Sequence, residues 1–413
     1  MANLNICLIS REFPPETDWG GIGKYTYRLA KGLVQAGNAV HVITQSLAAN
    51  KVYQDNGIYV HRIPHKSCFM FRGCLREFSL RLEYSQTVYG KLKDIIYKYN
   101  IDIVEAPNFS AESFVYSLFK KVPLVIRLHS SFYEVIKNYQ WPDTLDRRLS
   151  CFLEDTSILR SDLITCSTSI CAKAMAQHLD IDYKKIAVIP LGIEMPAEVK
   201  YEISFNDSVN VLFVGRLERR KGPHILIQAI PMVLKEVPHA HFTFVGRDTF
   251  ATSEFSSFEG GKEKSFKEFI LRDFPGEYRD KVAFTGYVDN NEVHKYFSSC
   301  DIFVAPSLYE SFGFIYLEAM SYAKPVIGCW TGGVPEVIVD GKTGVLIPPA
   351  DPIALSKAII YLLKNPRLRE KIGLEARRYV EKNFTQEIMV ENTVRAYRET
   401  INKKRNRKSL FVF

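Results

Sequence analysis

Two glutamates, Glu310 and Glu318, stand eight residues apart in the stretch LYESFGFIYLEAMS. A pair of carboxylates flanking a glycosidic bond would make a general acid and its partner. The spacing argues against that pairing. Glu310 falls in the loop LYESFG, and Glu318 about one turn into the helix that follows. Even on one continuous helix, eight positions leave ~80° between the two side chains. The predicted helix start at Gly313 offers other chemistry, because its free backbone amides suit a phosphate.

Other residues of the right types lie elsewhere. In FVGRLERRKG an apolar strand ends at Val214 and Gly215, and Arg216, Arg219, Arg220 and Lys221 crowd the next loop. Cations at a strand end suit a diphosphate, though not all four can face one way. His129 closes the apolar strand PLVIRLH. In DWGGIGKYTY, Gly20, Gly21 and Gly23 sit between the first strand and the first helix, where backbone amides can approach an anion. The dinucleotide pattern fails there at Thr26, and the phosphate-loop pattern fails at Asp18 and Tyr25. Each feature also has an ordinary reading: a tight turn, a solvated basic loop, a structural histidine. Asp180 and Asp182 mimic a metal-binding DxD but sit in a polar turn with no further carboxylate close by, so no metal site is expected.

These residues need strands and helices to hold them. NICLIS, AVHVIT, GIYVHRI, DIVEAP, PLVIRLH, LITCS and IAVIPLGI read as strands alternating with helices. In the first helix Ile22, Tyr25, Leu29 and Leu33 share a face, and Gly37 suits its end. A second alternating series begins at VNVLFVGRL. The expected fold is α/β: two Rossmann-like, doubly wound parallel-sheet domains facing a cleft, with ligands outside the carboxyl ends of the strands. The domains are placed at 1–195, a linker at 196–208, and 209–384. Residues 385–413 form a helix and basic tail, the helix packing back on the first domain. Val390, Val394, Tyr397 and Ile401 make its apolar face.

Composition narrows the class. At 413 residues, 46% hydrophobic and 24% charged, the chain reads as a soluble protein of two domains. No apolar run is long enough to span a bilayer, and MANLNICLIS lacks the marks of a secretory leader. Eight scattered cysteines without CxxC spacing suggest reduced thiols in a cytoplasmic compartment. The net charge of +8 suits an anionic small substrate and is too diffuse for nucleic acid. The segment from 65 to 95 mixes Phe69, Met70, Phe71 and Leu75 with Lys66, Arg72, Arg76 and Arg81. That mix leaves open a peripheral contact with an anionic membrane surface, on the inner face of the membrane. The tail KKRNRKSLFVF is read first as a frayed, solvated end.

GGIGKYTYRLAKGL, VIPLGIE, VGRLERRKG, VAFTGYV and PSLYESFGFIYLEAMSYAKPVIGCWTGGVPEVIVDGKTGVLIPPAD follow one another at fitting gaps. Together they closely resemble the retaining family 4 glycosyltransferases (glycosyl transferases group 1), which have the GT-B fold. The resemblance implies a hexosyl-type transferase that moves a sugar from a nucleotide diphosphate to a hydroxyl acceptor. UDP-sugar is the first expectation for the donor and GDP-mannose the next. Polysaccharide, glycolipid and metabolite acceptors all fit, and acceptor choice would lie in the 65–95 segment.

The resemblance also implies roles. Glu310 stands beside the donor sugar, and His129 near its hydroxyls and the reacting centre; these are the catalytic candidates. Glu318 accepts from the nucleotide ribose. Arg216 and Lys221 clamp the diphosphate, which Gly21 approaches. Amides of Phe312, Gly313, Phe314 and Ile315 meet sugar and phosphate, and Tyr287 and Val288 lie beside the base. No cofactor or metal is required beyond the nucleotide-sugar substrate. Two rivals share the fold: a nucleotide-sugar epimerase, and a silent nucleotide-sugar-binding subunit.

Overall fold

The computed structural model describes residues 3–17, 20–64, 74–138, 141–197, 199, 208–248 and 265–409. The chain divides into two compact units, one of residues 1–192 with 386–413 and one of residues 193–385. The division thus falls at 192/193, a few residues before the segment 196–208, most of which lies outside the described residues.

Among the described residues the first unit holds eight strands: β1 Asn5–Ile9, β2 Ala39–Ser46, β3 Lys51–Asp55, β4 Ile58–Pro64, β5 Ile103–Pro107, β6 Leu124–Leu128, β7 Leu163–Cys166 and β8 Ile186–Val188. Their order is β3-β4-β2-β1-β5-β6-β7-β8, and all neighbours are parallel except the β3–β4 hairpin. The chain winds outward from β1 through β2 to the β3–β4 hairpin on one side and from β5 to β8 on the other, so the winding reverses between β1 and β5. The opening helix Gly21–Gln35 buries Tyr25, Leu29 and Leu33, as the four-residue spacing predicts, and Ile22 only partly. Full burial of each such side chain contributes about 1.5–3 kcal/mol.

The closing helix Gln386–Ser409 packs on the opening helix within this unit. Met389, Val390, Val394, Tyr397 and Ile401 are its buried face. Approach is close at Gly32, where a Cβ would meet Val390 Cγ2 at 2.5 Å. The basic tail is therefore not frayed at residues 403–409, where the helix continues; Lys404 and Arg405 reach Asp162 (3.5 Å) and Asp102 (3.6 Å). Residues 410–413 lie outside the described residues.

The second unit holds β9 Val209–Val214, β10 Ala240–Val245, β11 Val282–Gly286, β12 Ile302–Val304, β13 Val326–Cys329 and β14 Gly344–Ile347, ordered β11-β10-β9-β12-β13-β14 and parallel throughout. Its winding reverses between β9 and β12. In such sheets the loops after the two central strands part and leave a crevice at the carboxyl edge.

Two expectations change. Strand β3 goes unforeseen in the sequence reading, although the Asn56–Gly57 pair, both at positive φ, is a strong hairpin signal. IAVIPLGI yields a strand only over Ile186–Val188, after which Ile189, Pro190 and Leu191 leave the ladder.

Candidate functional site

In the second unit the winding reversal brings together the loop after β9 and the loop after β12. The β9 loop forms a single 3-10 turn, Arg219–Lys221, and ends at Gly222 with φ +74°. A Cβ there would lie 2.0 Å from the Pro306 carbonyl oxygen, so glycine lets the two loops touch. The Leu308 amide donates to the Arg220 carbonyl at 2.8 Å and fixes their register.

The side chains form one ionic cluster. Lys221 Nζ lies 2.5 Å from Glu310 Oε1, and Ser307 Oγ donates to the same oxygen at 3.0 Å. Arg220 reaches Glu310 Oε2 at 3.5 Å, the Tyr309 carbonyl at 3.1 Å and Glu218 Oε1 at 2.9 Å. Arg216 also donates to Glu218 Oε1, at 3.3 Å, and its side chain is 57% exposed. Arg219 is exposed. Glu310 is buried. Burial alone would push its carboxyl up, but Lys221 and then Arg220 beside it, with hydrogen bonds from Lys221 and Ser307, hold it below the ordinary carboxylate value. Its backbone is fixed too, since the Gly333 amide donates to its carbonyl at 2.8 Å.

Gly313, at φ +93°, is the N-cap of the helix Phe314–Ser321. A Cβ there would meet the Tyr316 ring at 2.6 Å. Tyr316 is pinned in turn by its hydroxyl, which donates to the Ala305 carbonyl at 2.6 Å. Phe312 is buried while Gly313, Phe314 and Ile315 are half-buried, so the first amides of the helix stand near the surface. Glu318 lies one turn in and is half-buried. The two glutamates therefore sit on different elements. Tyr287 and Val288 follow β11, Tyr287 exposed and Val288 half-buried; the Arg247 guanidinium lies 4.3 Å from the Tyr287 ring centroid.

The first unit carries the other candidates. Gly21 opens the first helix with its α-carbon face clear, since a Cβ would meet nothing within 4 Å. His129 follows β6, and its backbone amide donates to Asn108 Oδ1 at 2.8 Å. Asn108 Nδ2 donates to the buried Glu154 at 2.5 Å. The imidazole meets the Tyr25 ring edge-on, with centroids 5.2 Å apart. Its Nε2 is sealed from solvent and has no partner among the described residues. Burial, with Arg127 adding, carries the imidazole down to about 3, so it is neutral at ordinary pH.

Residues 19–195 match Glycosyltransferase Family 4, and residues 198–379 match Glycosyl transferases group 1. The chain belongs to the family 4 glycosyltransferases. It is 25% identical over 413 residues to glycogen synthase of Mycobacterium tuberculosis, covering 95% of this chain and 94% of that protein. Its structure is similar to sucrose-phosphate synthase from Thermosynechococcus elongatus, with TM-score 0.78 and 22% identity over 97% of this chain and 100% of that one. It is similar also to Anabaena HepE in complex with UDP and glucose, with TM-score 0.70 and 18% identity over 95% and 99% of the two chains. The likeness to these structures shows the fold, GT-B, with its two parallel-sheet units.

For a family 4 glycosyltransferase, the sequence reading singled out Arg216 and Lys221 but gave Arg220 no role, and Arg220 is the arginine on Glu310. It also passed over Glu105, a carboxylate inside the fully buried strand β5. A charged residue in an apolar run was the available signal. Arg81, taken for part of a basic surface, is buried with its guanidinium 4.0 Å from the Phe132 ring centroid. Lys66, Phe69, Met70, Phe71 and Arg72 of that surface lie outside the described residues. Asp182 caps a turn through the Lys184 amide at 2.9 Å. No helix among the described residues is long and apolar enough to cross a membrane.

Proposed function

We propose that this glycosyltransferase transfers a hexosyl unit with retention from a nucleotide diphosphate, UDP-sugar first and GDP-mannose next, to a hydroxyl acceptor. The observation that carries the reading is the cluster at the winding reversal of the second unit: Lys221 and Arg220 on an ionised Glu310, with Arg216 beside them. HepE, a structural neighbour, was solved with UDP, which supports a uridine donor.

The chemistry follows from charge. The bond from the anomeric carbon to the phosphate oxygen breaks as the acceptor oxygen bonds to that carbon on the same face. The acceptor proton passes to the departing phosphate oxygen. Negative charge grows on the diphosphate, where Arg216, Lys221 and the amides after Gly313 are suited to receive it. Positive charge grows on the sugar ring, and Glu310, held as an anion, suits that end. Neutral His129 is the group assigned to the sugar hydroxyls. Glu318 takes the ribose hydroxyls, and Tyr287 and Val288 flank the base. No protein nucleophile is needed.

A thermal-shift screen with UDP-glucose, UDP-galactose, GDP-mannose and ADP-glucose tests the donor, since binding raises apparent stability by mass action. A shift with a uridine donor that is lost in Lys221→Ala and Arg216→Ala supports the site. Unchanged donor affinity in both variants would overturn it. Rapid epimerisation of a UDP-sugar without acceptor would overturn the transferase reading itself.

A further inference from the structure

Tyr25, whose ring meets His129, is bonded to a polar group that the reaction above does not use. Every residue of β5 is buried, and Glu105 is in its middle. Its two oxygens are divided between two tyrosines. The Tyr25 hydroxyl, from the opening helix, donates to Oε1 at 2.7 Å. The Tyr397 hydroxyl, from the closing helix, donates to Oε2 at 2.7 Å. Arg127 of the neighbouring strand β6 lies with its guanidinium carbon 4.9 Å from the Tyr25 ring centroid, and donates through Nη2 to the Ile189 carbonyl at 2.7 Å. All of these residues belong to the first unit.

Such a cluster is a costly way to fill a core. Apolar residues of similar volume commonly give equal or greater stability than buried ionisable groups, which directs attention to what the cluster orients. Tyr25 is held at its hydroxyl by Glu105 and on its face by Arg127, and its ring stands at 67° to the His129 imidazole. The Tyr25 ring meets that imidazole edge-on with centroids 5.2 Å apart, and Nε2 has no partner among the described residues. The Tyr25 ring is thus the wall that sets its angle.

We propose that Glu105 is a positioning residue: through Tyr25 it fixes the His129 imidazole, and through Tyr397 it makes the closing helix part of the same support. The inference rests on the reading that His129 serves the transferred sugar. Glu105 touches no substrate. Its effect is on how often the imidazole stands at the working angle, which lowers turnover and leaves donor binding by the second unit alone.

The test uses the full chain with Glu105→Gln, Tyr25→Phe, Tyr397→Phe and His129→Gln. Two readouts are taken: kcat and donor KM with whichever of UDP-glucose or GDP-mannose is turned over, and the side-chain resonance of His129 in substrate-free histidine-labelled protein, assigned by its absence in His129→Gln. Glu105→Gln and Tyr25→Phe are expected to move the His129 resonance. They should also lower kcat by about 10-fold, within the range a small misplacement costs, with donor KM within about twofold. Tyr397→Phe, one bond further away, moves both in the same direction by less. If Glu105→Gln fails to fold, Tyr25→Phe, which removes one hydroxyl, carries the test. An unmoved His129 resonance in the folded variants overturns the positioning role, as does kcat at the wild-type level while His129→Gln is inactive. If His129→Gln keeps full kcat, the role given to His129 in the reaction fails, and the resonance still decides whether Glu105 positions it.

Discussion

Glu310 and Glu105 are both enclosed carboxylates next to cations, yet the two units treat them oppositely. Glu310 meets Lys221 and Arg220 directly, and its carboxyl is held below the ordinary value. Glu105 is pushed above it by burial, against the pull of Arg127 and its two tyrosine hydroxyls. The same contrast runs through each surrounding. Glu112 and Glu154 of the first unit are carried by burial to about 8, and His129 to about 3. The second unit's crevice holds its carboxylate below the ordinary value by pairing it with cations, while in the first unit burial raises Glu105, Glu112 and Glu154 and lowers His129. One topology serves both, so the difference comes from the side chains that the loops present: a turn carrying Arg219, Arg220 and Lys221 in one unit, dry hydroxyls and amides in the other.

Lys221→Ala attacks the charged side of the contrast and has the largest expected effect. It removes the closest partner of Glu310 and one cation of the diphosphate clamp, and should lower turnover by roughly 10²–10³-fold. Breaking a buried pair also destabilises, by up to ~3–5 kcal/mol. Steady-state kinetics beside urea melts separate the two losses, and Lys221→Arg should recover part of the stability. Wild-type turnover in Lys221→Ala would end the claim that this crevice manages leaving-group charge.

Within the crevice, Glu310 and Glu318 should fail differently. Glu310→Gln is expected to reduce kcat by about 100-fold with little change in donor KM. Glu318→Ala should raise donor KM roughly 10- to 100-fold, the worth of a charge-assisted hydrogen bond or two. The reverse pattern would show the two roles to be exchanged.

The neutral side is tested by pH. Glu112 and Glu154 have ordinary values of 4.5 and folded values of about 8. Between those limits the folded first unit keeps protons that the unfolded chain has lost. The contribution of these two carboxyls to its stability is therefore greatest below about 4.5, falls as pH rises, and is lost above about 8. Glu154→Gln should remove one share of that slope, at most about 1.4 kcal/mol per pH unit. Glu310 has the opposite sign: its contribution is present above its unfolded value and is lost as pH falls through its lowered folded value. Hydrogen exchange at β5 and β6 amides at pH 5 and 8 reads the first unit separately. A slope unchanged in Glu154→Gln would mean that carboxylate is ionised in the fold.

Gly21→Ala is the mildest change. With nothing within 4 Å of the new Cβ, the melting temperature should stay within about 2 °C. A severalfold rise in donor KM would then come from the ligand meeting the methyl group. An unchanged KM would remove Gly21 from the donor site.

Much of this was legible in the sequence, for reasons that differ by scale. Apolar runs such as LVIRL and VNVLFV mark strands because burial on both faces demands it. The loop and helix placement of Glu310 and Glu318 followed from where the apolar strand before them ends. Less visible was which cation of RRK turns inward, because that depends on the tight turn Arg219–Lys221 and on Gly222 pressing against Pro306. Arg81 looked like a surface charge because it alternates with Arg76, Glu77 and Glu83; its aromatic partner, Phe132, lies far along the chain. Glu105 was visible as an anomaly in DIVEAP, but no local pattern could name Tyr397 as its second donor.

That last pairing spans 292 residues. Tyr397 belongs to the closing helix, so the first unit is built from two separate stretches of chain, with the whole second unit synthesised between them. At ordinary translation speeds Glu105 emerges roughly 15–60 s before the hydroxyl that completes its shell. Through that interval the opening helix also has its Gly32 groove uncovered, with Val390 yet to arrive. The second unit is contiguous and can finish first. The first unit, begun before the second, is therefore completed after it.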